Sequence, residues 1–202
     1  MVTVAVLGHR GMLGSVVARR WAEQGAIVET TDLRYPDLVL WADGHDYIVN
    51  CLRMDDPLLM AEAAAVLSGP VTIQPSSDAV NETTPYAQAK RITEALPGVI
   101  IRAGIVDVRR QPAIAYTDWL CNPLTPLEWA DAAWNLKHEP WCYHIGRESL
   151  TRYEVVAVVA DVFGMEPPMA SVGPEPLDRL VEPSWPYPPL REALIAYRDW
   201  LG

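Results

Sequence analysis

Tyr86 and Lys90 stand four positions apart in the segment YAQAK, and Lys90 is one of only two lysines in the chain. On a helix this spacing places both side chains on one face, one turn apart. An ammonium group beside a phenol favours the phenolate, so it lowers a tyrosine pKa that is ordinarily about 10. Such a tyrosine can exchange a proton near neutral pH, which suits the protonation that accompanies hydride transfer. The alternative is an exposed pair without a chemical role.

Three glycines, Gly8, Gly11 and Gly14, form the pattern GxxGxxG in the segment GHRGMLG. Glycines permit a tight turn, and the N-terminus of a following helix presents free N–H groups and a positive dipole end to a pyrophosphate. The pattern predicts a dinucleotide-binding turn, with a turn needed only for packing the helix on the sheet as the alternative. The candidate cofactor-binding residues of this turn are Gly8, Arg10, Gly11, Met12, Leu13 and Gly14.

The residues near the adenosine end of such a site point to two cofactors. Asp32 lies eighteen positions after Gly14, at the end of the next predicted strand, and is suited to accept a hydrogen bond from a ribose hydroxyl. A carboxylate there favours NAD, because it repels the extra phosphate of NADP. Arg10 and Arg34 favour NADP instead, since a guanidinium can pair with that phosphate bidentately. The sequence therefore indicates NAD or NADP without deciding between them.

The elements that must position these residues alternate between strand and helix. Residues 2–7 (VTVAVL) form an apolar, β-branched run typical of a strand buried on both faces of a parallel sheet. The glycine turn follows this strand, and apolar residues then recur at helical spacing as far as Gly25. The pattern predicts an α/β fold with a doubly wound parallel sheet, the Rossmann arrangement. Helices are predicted over 14–25, 57–67 and 86–96, and strands over 2–7, 26–31, 47–52, 71–74 and 99–105.

The alternation breaks after residue 107, where a small, mostly helical C-terminal lobe is predicted. Its helices are expected over 126–137, 151–163 and about 190–201. The proline-rich region 166–189 is expected to be irregular. We therefore predict a dinucleotide-binding core over 1–107 and a reduced substrate-binding lobe over 108–202, packed together as one unit.

Composition limits the partners of the chain. Its 202 residues are 50% hydrophobic and 21% charged, which is enough apolar material for a packed core. The net charge of −10 argues against nucleic acid and anionic membranes as partners. Neither a secretory signal nor a membrane span is apparent, and the three cysteines form no metal-binding pattern, so we expect a cytoplasmic protein without a metal site.

Ser77 lies just past the predicted strand 71–74, at the edge where open α/β sheets bind ligands. With this serine, the glycine turn and YAQAK, the sequence resembles the extended short-chain dehydrogenase/reductases. Within them it is similar to the sugar-nucleotide reductases related to dTDP-4-dehydrorhamnose reductase, and its glycine turn also resembles that of GDP-L-fucose synthase. The similar segments are GHRGMLGS, YIVNC, IQPSSDAV, YAQAK, VIIRAGIVDV, NPLTPLEWADAAWNL and CYHIGRESLTRYEVVAVVADVFG.

The resemblance implies an NAD(P)-dependent reductase or epimerase that acts on a keto group of a nucleotide-linked sugar. By that resemblance Ser77 would hydrogen-bond the substrate carbonyl and Tyr86 would serve as acid and base. Lys90 would hold the nicotinamide ribose and tune Tyr86. Asn50, which lies in the third predicted strand segment YIVNC, would join the three glycines in the cofactor site. The family also suggests a homodimer.

A second hypothesis belongs to a different class of protein. The chain is shorter than members of the family it resembles, and only nine positions separate Ser77 from Tyr86. These two features favour a non-catalytic NAD(P)-binding module that acts as a redox sensor or interaction protein. The retention of Ser77 together with YxxxK favours the enzyme.

Overall fold

The computed structural model describes residues 1–31, 44–52, 71–173, 177–178 and 186–202. The chain divides into two compact units, the first formed by residues 1–102 and 130–143 and the second by residues 103–129 and 144–202. Asp32, Arg34 and the predicted helix 57–67 lie outside the described residues. The predicted division into domains after residue 107 stays a prediction.

The described part of the first hundred residues contains helices and longer strands, and shorter strands follow. In chain order the elements are β1 (Thr3–Leu7), α1 (Met12–Glu23), β2 (Ile27–Thr30), β3 (Tyr47–Asn50), β4 (Val71–Ser76), a 3-10 helix (Asp78–Asn81), α2 (Pro85–Glu94), β5 (Val99–Arg102), β6 (Gly104–Ile105), β7 (Ile114–Tyr116), β8 (Trp119–Cys121), β9 (Pro123–Leu124), α3 (Pro126–Leu136), β10 (Cys142–His144), β11 (Leu150–Thr151), α4 (Arg152–Phe163), β12 (Met169–Ser171), β13 (Leu177–Asp178) and α5 (Leu190–Leu201). Within the described part of the chain, no helix is long and apolar enough to cross a membrane.

A six-stranded sheet in the order β10-β5-β4-β3-β1-β2 is the centre of the first unit. Strands β1 to β5 run parallel, with Leu7 opposite Asn50 and Ser76 opposite Arg102. The residues of β3 and most of β1 are buried, which explains why these strands are continuous apolar runs rather than alternating ones. The parallel sheet confirms the predicted doubly wound α/β fold, and it brings the carboxyl ends of β1, β3 and β4 to one edge.

Helix α1 packs its apolar stripe inside the first unit. Val16, Val17 and Trp21 are buried, and the indole Nε1 of Trp21 donates to the carbonyl oxygen of Ala130 at 3.0 Å. At the end of the same helix, Arg20 forms an ion pair with Asp131 at 2.6 Å. These contacts fix α1 and therefore the direction of its N-terminus, which follows the glycine turn.

Two helices of the second unit lie where the sequence predicts them. Thr151 and Glu154 form a reciprocal capping box at the start of α4, and Gly164 ends this helix with φ +66°. The last helix, α5, spans Leu190–Leu201 and buries Leu190, Leu194 and Tyr197, as its spacing predicts. Both predicted helices are confirmed.

Two predictions of local structure were wrong. The predicted strand 99–105 ends at Arg102, because the backbone beyond Ala103 leaves the large sheet and Gly104–Ile105 pairs with β9 instead. The region 166–189 is not wholly irregular, since β12 pairs with β7 and β13 pairs with β8. Strands of two or three residues are too short to show a period of two, so the sequence carries no signal for them.

Candidate active site

The glycine motif that runs from the end of β1 into the first turn of α1 has room only for glycine at its first and last positions, Gly8 and Gly14. Gly8 has φ +75°, and a Cβ on it would lie 2.8 Å from the carbonyl oxygen of Cys51. A Cβ on Gly14 would lie 2.3 Å from the carbonyl oxygen of Gly8. The N–H of Gly11 donates to that same oxygen at 2.9 Å and closes the turn. Close backbone packing therefore accounts for Gly8 and Gly14.

The N-terminus of α1 has the composition that suits a bound anion. Gly11 is its N-cap and has no side chain with which to cap the first-turn N–H groups, and this turn contains no acidic residue. Arg10 is exposed, whereas Met12 and Leu13 are partly exposed. An uncapped helix end without a carboxylate is what a pyrophosphate requires, so both roles predicted for the turn fit this geometry.

Asn50 ends β3 at the same edge of the sheet. Its side chain is 4% exposed; its amide Nδ2 donates to Oε1 of Gln74 at 3.3 Å, and its Oδ1 accepts from the N–H of Leu52 at 3.3 Å. These two bonds fix the side chain and shape the backbone just after β3. The cofactor contact expected of Asn50 stays a prediction.

Cys51 connects the glycine turn to Lys90. Gly8 packs against the backbone of Cys51 so closely that a Cβ on Gly8 would clash with the carbonyl oxygen of Cys51. Burial raises the pKa of the Cys51 thiol to about 12, and the nearby Lys90 ammonium acts in the opposite direction. The charge of Lys90 is therefore felt at the residue against which the turn packs.

Tyr86 and Lys90 lie on α2, as the sequence predicts. Thr84 caps this helix by accepting from the N–H of Ala87 at 3.1 Å, and Pro85 occupies its first turn. The Nζ of Lys90 donates to the carbonyl oxygen of Pro75 at 2.9 Å and lies 5.6 Å from the centre of the Tyr86 ring. The ammonium is thus anchored to β4 while it lies over the tyrosine.

Ser77 directly follows β4. It is 8% exposed and is the N-cap of the 3-10 helix, where its Oγ accepts from the N–H of Ala79 at 3.1 Å. This short helix packs against α2, the helix that carries Tyr86 and Lys90. The three predicted catalytic residues therefore come from two neighbouring segments of the first unit, although their catalytic role stays a prediction.

Glu94 and Ser76 are structural partners of the site that the sequence analysis missed. Ser76 Oγ donates to Glu94 Oε1 at 2.6 Å, and Arg102 forms an ion pair with Glu94. Only 12% of the Glu94 side chain is exposed, and its hydrogen bond raises the pKa of Arg102. These bonds join the end of α2 to the ends of β4 and β5. The sequence offers one indication of a role for Glu94, namely that it follows Lys90 by one helical turn and therefore lies on the same face of α2.

No protein-family model matches the chain, and no curated protein sequence matches it. Solved structures match in fold. An NAD+ complex of the Bordetella bronchiseptica enzyme WbmH is 16% identical with a TM-score of 0.77, and the match covers 100% of this chain and 98% of that one. An NADP complex of dTDP-4-dehydrorhamnose reductase from Bacillus anthracis is 12% identical with a TM-score of 0.76, covering 98% of each chain.

A third match is a GDP-L-fucose synthetase from Naegleria fowleri bound to NADP. It is 11% identical with a TM-score of 0.67, and the match covers 99% of this chain and 94% of that one. At such low identities the likeness shows the fold. The chain has the Rossmann-like α/β fold of these structures along nearly its whole length.

Proposed function

We propose that the chain is a cytoplasmic NAD(P)-dependent oxidoreductase of the extended short-chain dehydrogenase/reductase type. Its substrate would be a nucleotide-linked sugar with a keto group, and the reaction at this group would be a reduction or an epimerisation. One observation carries the proposal: the Lys90 ammonium is anchored to the carbonyl oxygen of Pro75 in β4 and lies over the Tyr86 ring.

The residues at this edge fit a dinucleotide. The uncapped N-terminus of α1 would bind the pyrophosphate through N–H groups and dipole. Lys90 would donate to the nicotinamide ribose, and Asn50 would line the site. Asp32 or Arg10 would recognise the adenosine ribose, which is how the chain would choose NAD or NADP. When bound in reduced form, the cofactor supplies a hydride to a carbonyl carbon.

The chain's own residues would handle the proton and the developing charge. The Tyr86 hydroxyl would give its proton to the carbonyl oxygen as the carbonyl carbon accepts the hydride, so the ketone becomes an alcohol and the reduced dinucleotide is oxidised. Lys90 would stabilise the phenolate that remains on Tyr86, which later regains a proton from water. Ser77 would donate a hydrogen bond to the same carbonyl oxygen and fix its orientation.

Two likenesses support the substrate class. The segments IQPSSDAV and YAQAK resemble those of sugar-nucleotide reductases. The structures similar in fold include a dTDP-4-dehydrorhamnose reductase and a GDP-L-fucose synthetase, both bound to NADP. Both likenesses favour a small ketone carried on a nucleotide diphosphate.

The second candidate is a non-catalytic NAD(P)-binding module, which the short connection from Ser77 to Tyr86 favours. The structure gives this connection a 3-10 helix and a loop of three residues before α2 begins. Such a module would bind the dinucleotide without turning over a substrate. Turnover by the purified chain therefore discriminates between the two candidates.

The experiment is to incubate the purified chain with NADPH or NADH and a dTDP-linked 4-keto-6-deoxyhexose. We expect the absorbance of the reduced nicotinamide to fall and the sugar product to be heavier than the substrate by two hydrogens. When the reduced cofactor carries deuterium at its reactive position, the product should instead gain one deuterium and one hydrogen. A GDP-linked keto sugar tests the other base. Dinucleotide binding without turnover of either sugar would favour the non-catalytic module.

A further inference from the structure

The helix that carries Tyr86 also holds the far end of the connection that begins at Ser77. The Nη1 of Arg91 donates to two backbone carbonyls of that connection, those of Val80 and Glu82, the second at 2.8 Å. Arg91 directly follows Lys90 in α2. Hydrogen bonds from a guanidinium are charge-assisted and stronger than neutral ones, so this single side chain can hold the backbone at two points.

The carbonyls that Arg91 binds belong to the segment capped by Ser77. The 3-10 helix is closed by the bond from the N–H of Ala79 to Ser77 Oγ and by the bond from the N–H of Glu82 to the carbonyl of Ala79 at 3.0 Å. Val80 lies within this helix, and Glu82 is its C-cap. A displacement of these carbonyls therefore moves the turn that sets the Ser77 hydroxyl.

Residues of α2 hold the other side of Ser77 as well. Lys90 donates to the carbonyl of Pro75 at 2.9 Å, and Glu94 accepts from Ser76 Oγ at 2.6 Å. Ser77 thus lies between two groups of backbone and side-chain bonds, one before it and one after it. All of these bonds end on the helix that carries Tyr86.

We infer that Arg91 is a positioning residue that holds the turn of residues 77–82 on α2 and thereby sets Ser77 relative to Tyr86. Its catalytic consequence rests on the proposed function, whereas its hold on the turn does not. The connection of nine positions contains only the 3-10 helix and three further residues before α2 begins, so bonds from α2 orient Ser77. Misplacement of a reacting group by about 1 Å can cost up to about 10²-fold in rate, so a modest shift would be measurable.

Hydrogen exchange tests the hold directly. In Arg91→Met, the amides of Ala79, Val80 and Glu82 are expected to exchange about tenfold faster, as the loss of a charge-assisted hydrogen bond predicts. Arg91→Lys should restore most of the protection, because an ammonium has three donors and can also bond two carbonyls. The matched control is Arg19→Met on α1, whose guanidinium pairs with Glu23 on its own helix. Unchanged exchange in Arg91→Met would overturn the inference.

Kinetics with the dTDP-linked keto sugar test the consequence for Ser77. Arg91→Met is expected to lower kcat about tenfold, to leave the KM for the dinucleotide unchanged, and to recover in Arg91→Lys. Faster exchange with an unaltered kcat would show a hold on the turn that does not position Ser77, and would contradict the proposal. If the wild-type chain turns over no sugar, the proposed function fails, while faster exchange in Arg91→Met still supports the hold on the turn.

Discussion

Replacing Tyr86 by Phe is expected to lower the turnover of a keto-sugar nucleotide by about 10²- to 10⁴-fold, the usual contribution of a positioned acid or base. The substitution removes only the hydroxyl that would give its proton to the carbonyl oxygen. The ring stays, so the packing of Lys90 over it at 5.6 Å and the anchor on Pro75 are retained. The affinity for the dinucleotide should therefore be unchanged, as measured by fluorescence titration.

The control for this substitution is Tyr143→Phe. The hydroxyl of Tyr143 donates to Glu139 and is no part of the candidate site, so Tyr143→Phe should leave turnover unchanged. Equal rates for wild type and Tyr86→Phe would remove Tyr86 from the mechanism. They would also leave the Ser-Tyr-Lys assignment without its central residue.

Replacing Gly14 by Ala is expected to destabilise the protein and to abolish dinucleotide binding. The new Cβ would lie 2.3 Å from the carbonyl oxygen of Gly8, and this neighbour is backbone that cannot rotate away. Overpacking of this kind costs roughly 1–3 kcal/mol in the free energy of unfolding. The clash can be relieved only if the turn before α1 opens. Because this turn orients the N-terminus of α1, the affinity for the dinucleotide falls as well.

Gly44→Ala is the matched control, because a Cβ on Gly44 has no atom of the described residues within 4 Å. Urea unfolding of both variants measures the stability, and titration with NADPH and NADH measures the affinity. A Gly14→Ala variant as stable as Gly44→Ala would show that the turn accommodates a side chain. That result would contradict the packing described for Gly8 and Gly14.

The sequence predicts the architecture well where a hydrophobic period extends over a whole element. In α5, Leu190, Leu194 and Tyr197 recur at helical spacing, and all three are buried, so the predicted bounds and the observed ones agree. Strand β1 is an unbroken apolar run because both of its faces are covered. Local chemistry also sets the end of α4, where Gly164 takes up a left-handed conformation.

The contacts that hold the candidate site have no such local signature. Arg91 reaches carbonyls nine and eleven positions away, and Glu94 reaches Ser76 and Arg102, which belong to two different strands. Neither set of contacts produces a periodic pattern in the sequence, so it can be found only from the folded structure. Motif spacing could indicate Ser77, Tyr86 and Lys90. It could not show which contacts position Ser77 relative to the helix that carries the other two residues.

The most direct test of the central claim is a titration of the purified chain with NADPH and, in parallel, with NADH. Quenching of tryptophan fluorescence and energy transfer to the reduced nicotinamide report binding. The account predicts saturable binding of at least one dinucleotide, retained in Tyr86→Phe and lost in Gly14→Ala. If neither dinucleotide binds the wild-type chain at millimolar concentration, the glycine turn only packs the helix on the sheet, and the oxidoreductase and the binding module both fail.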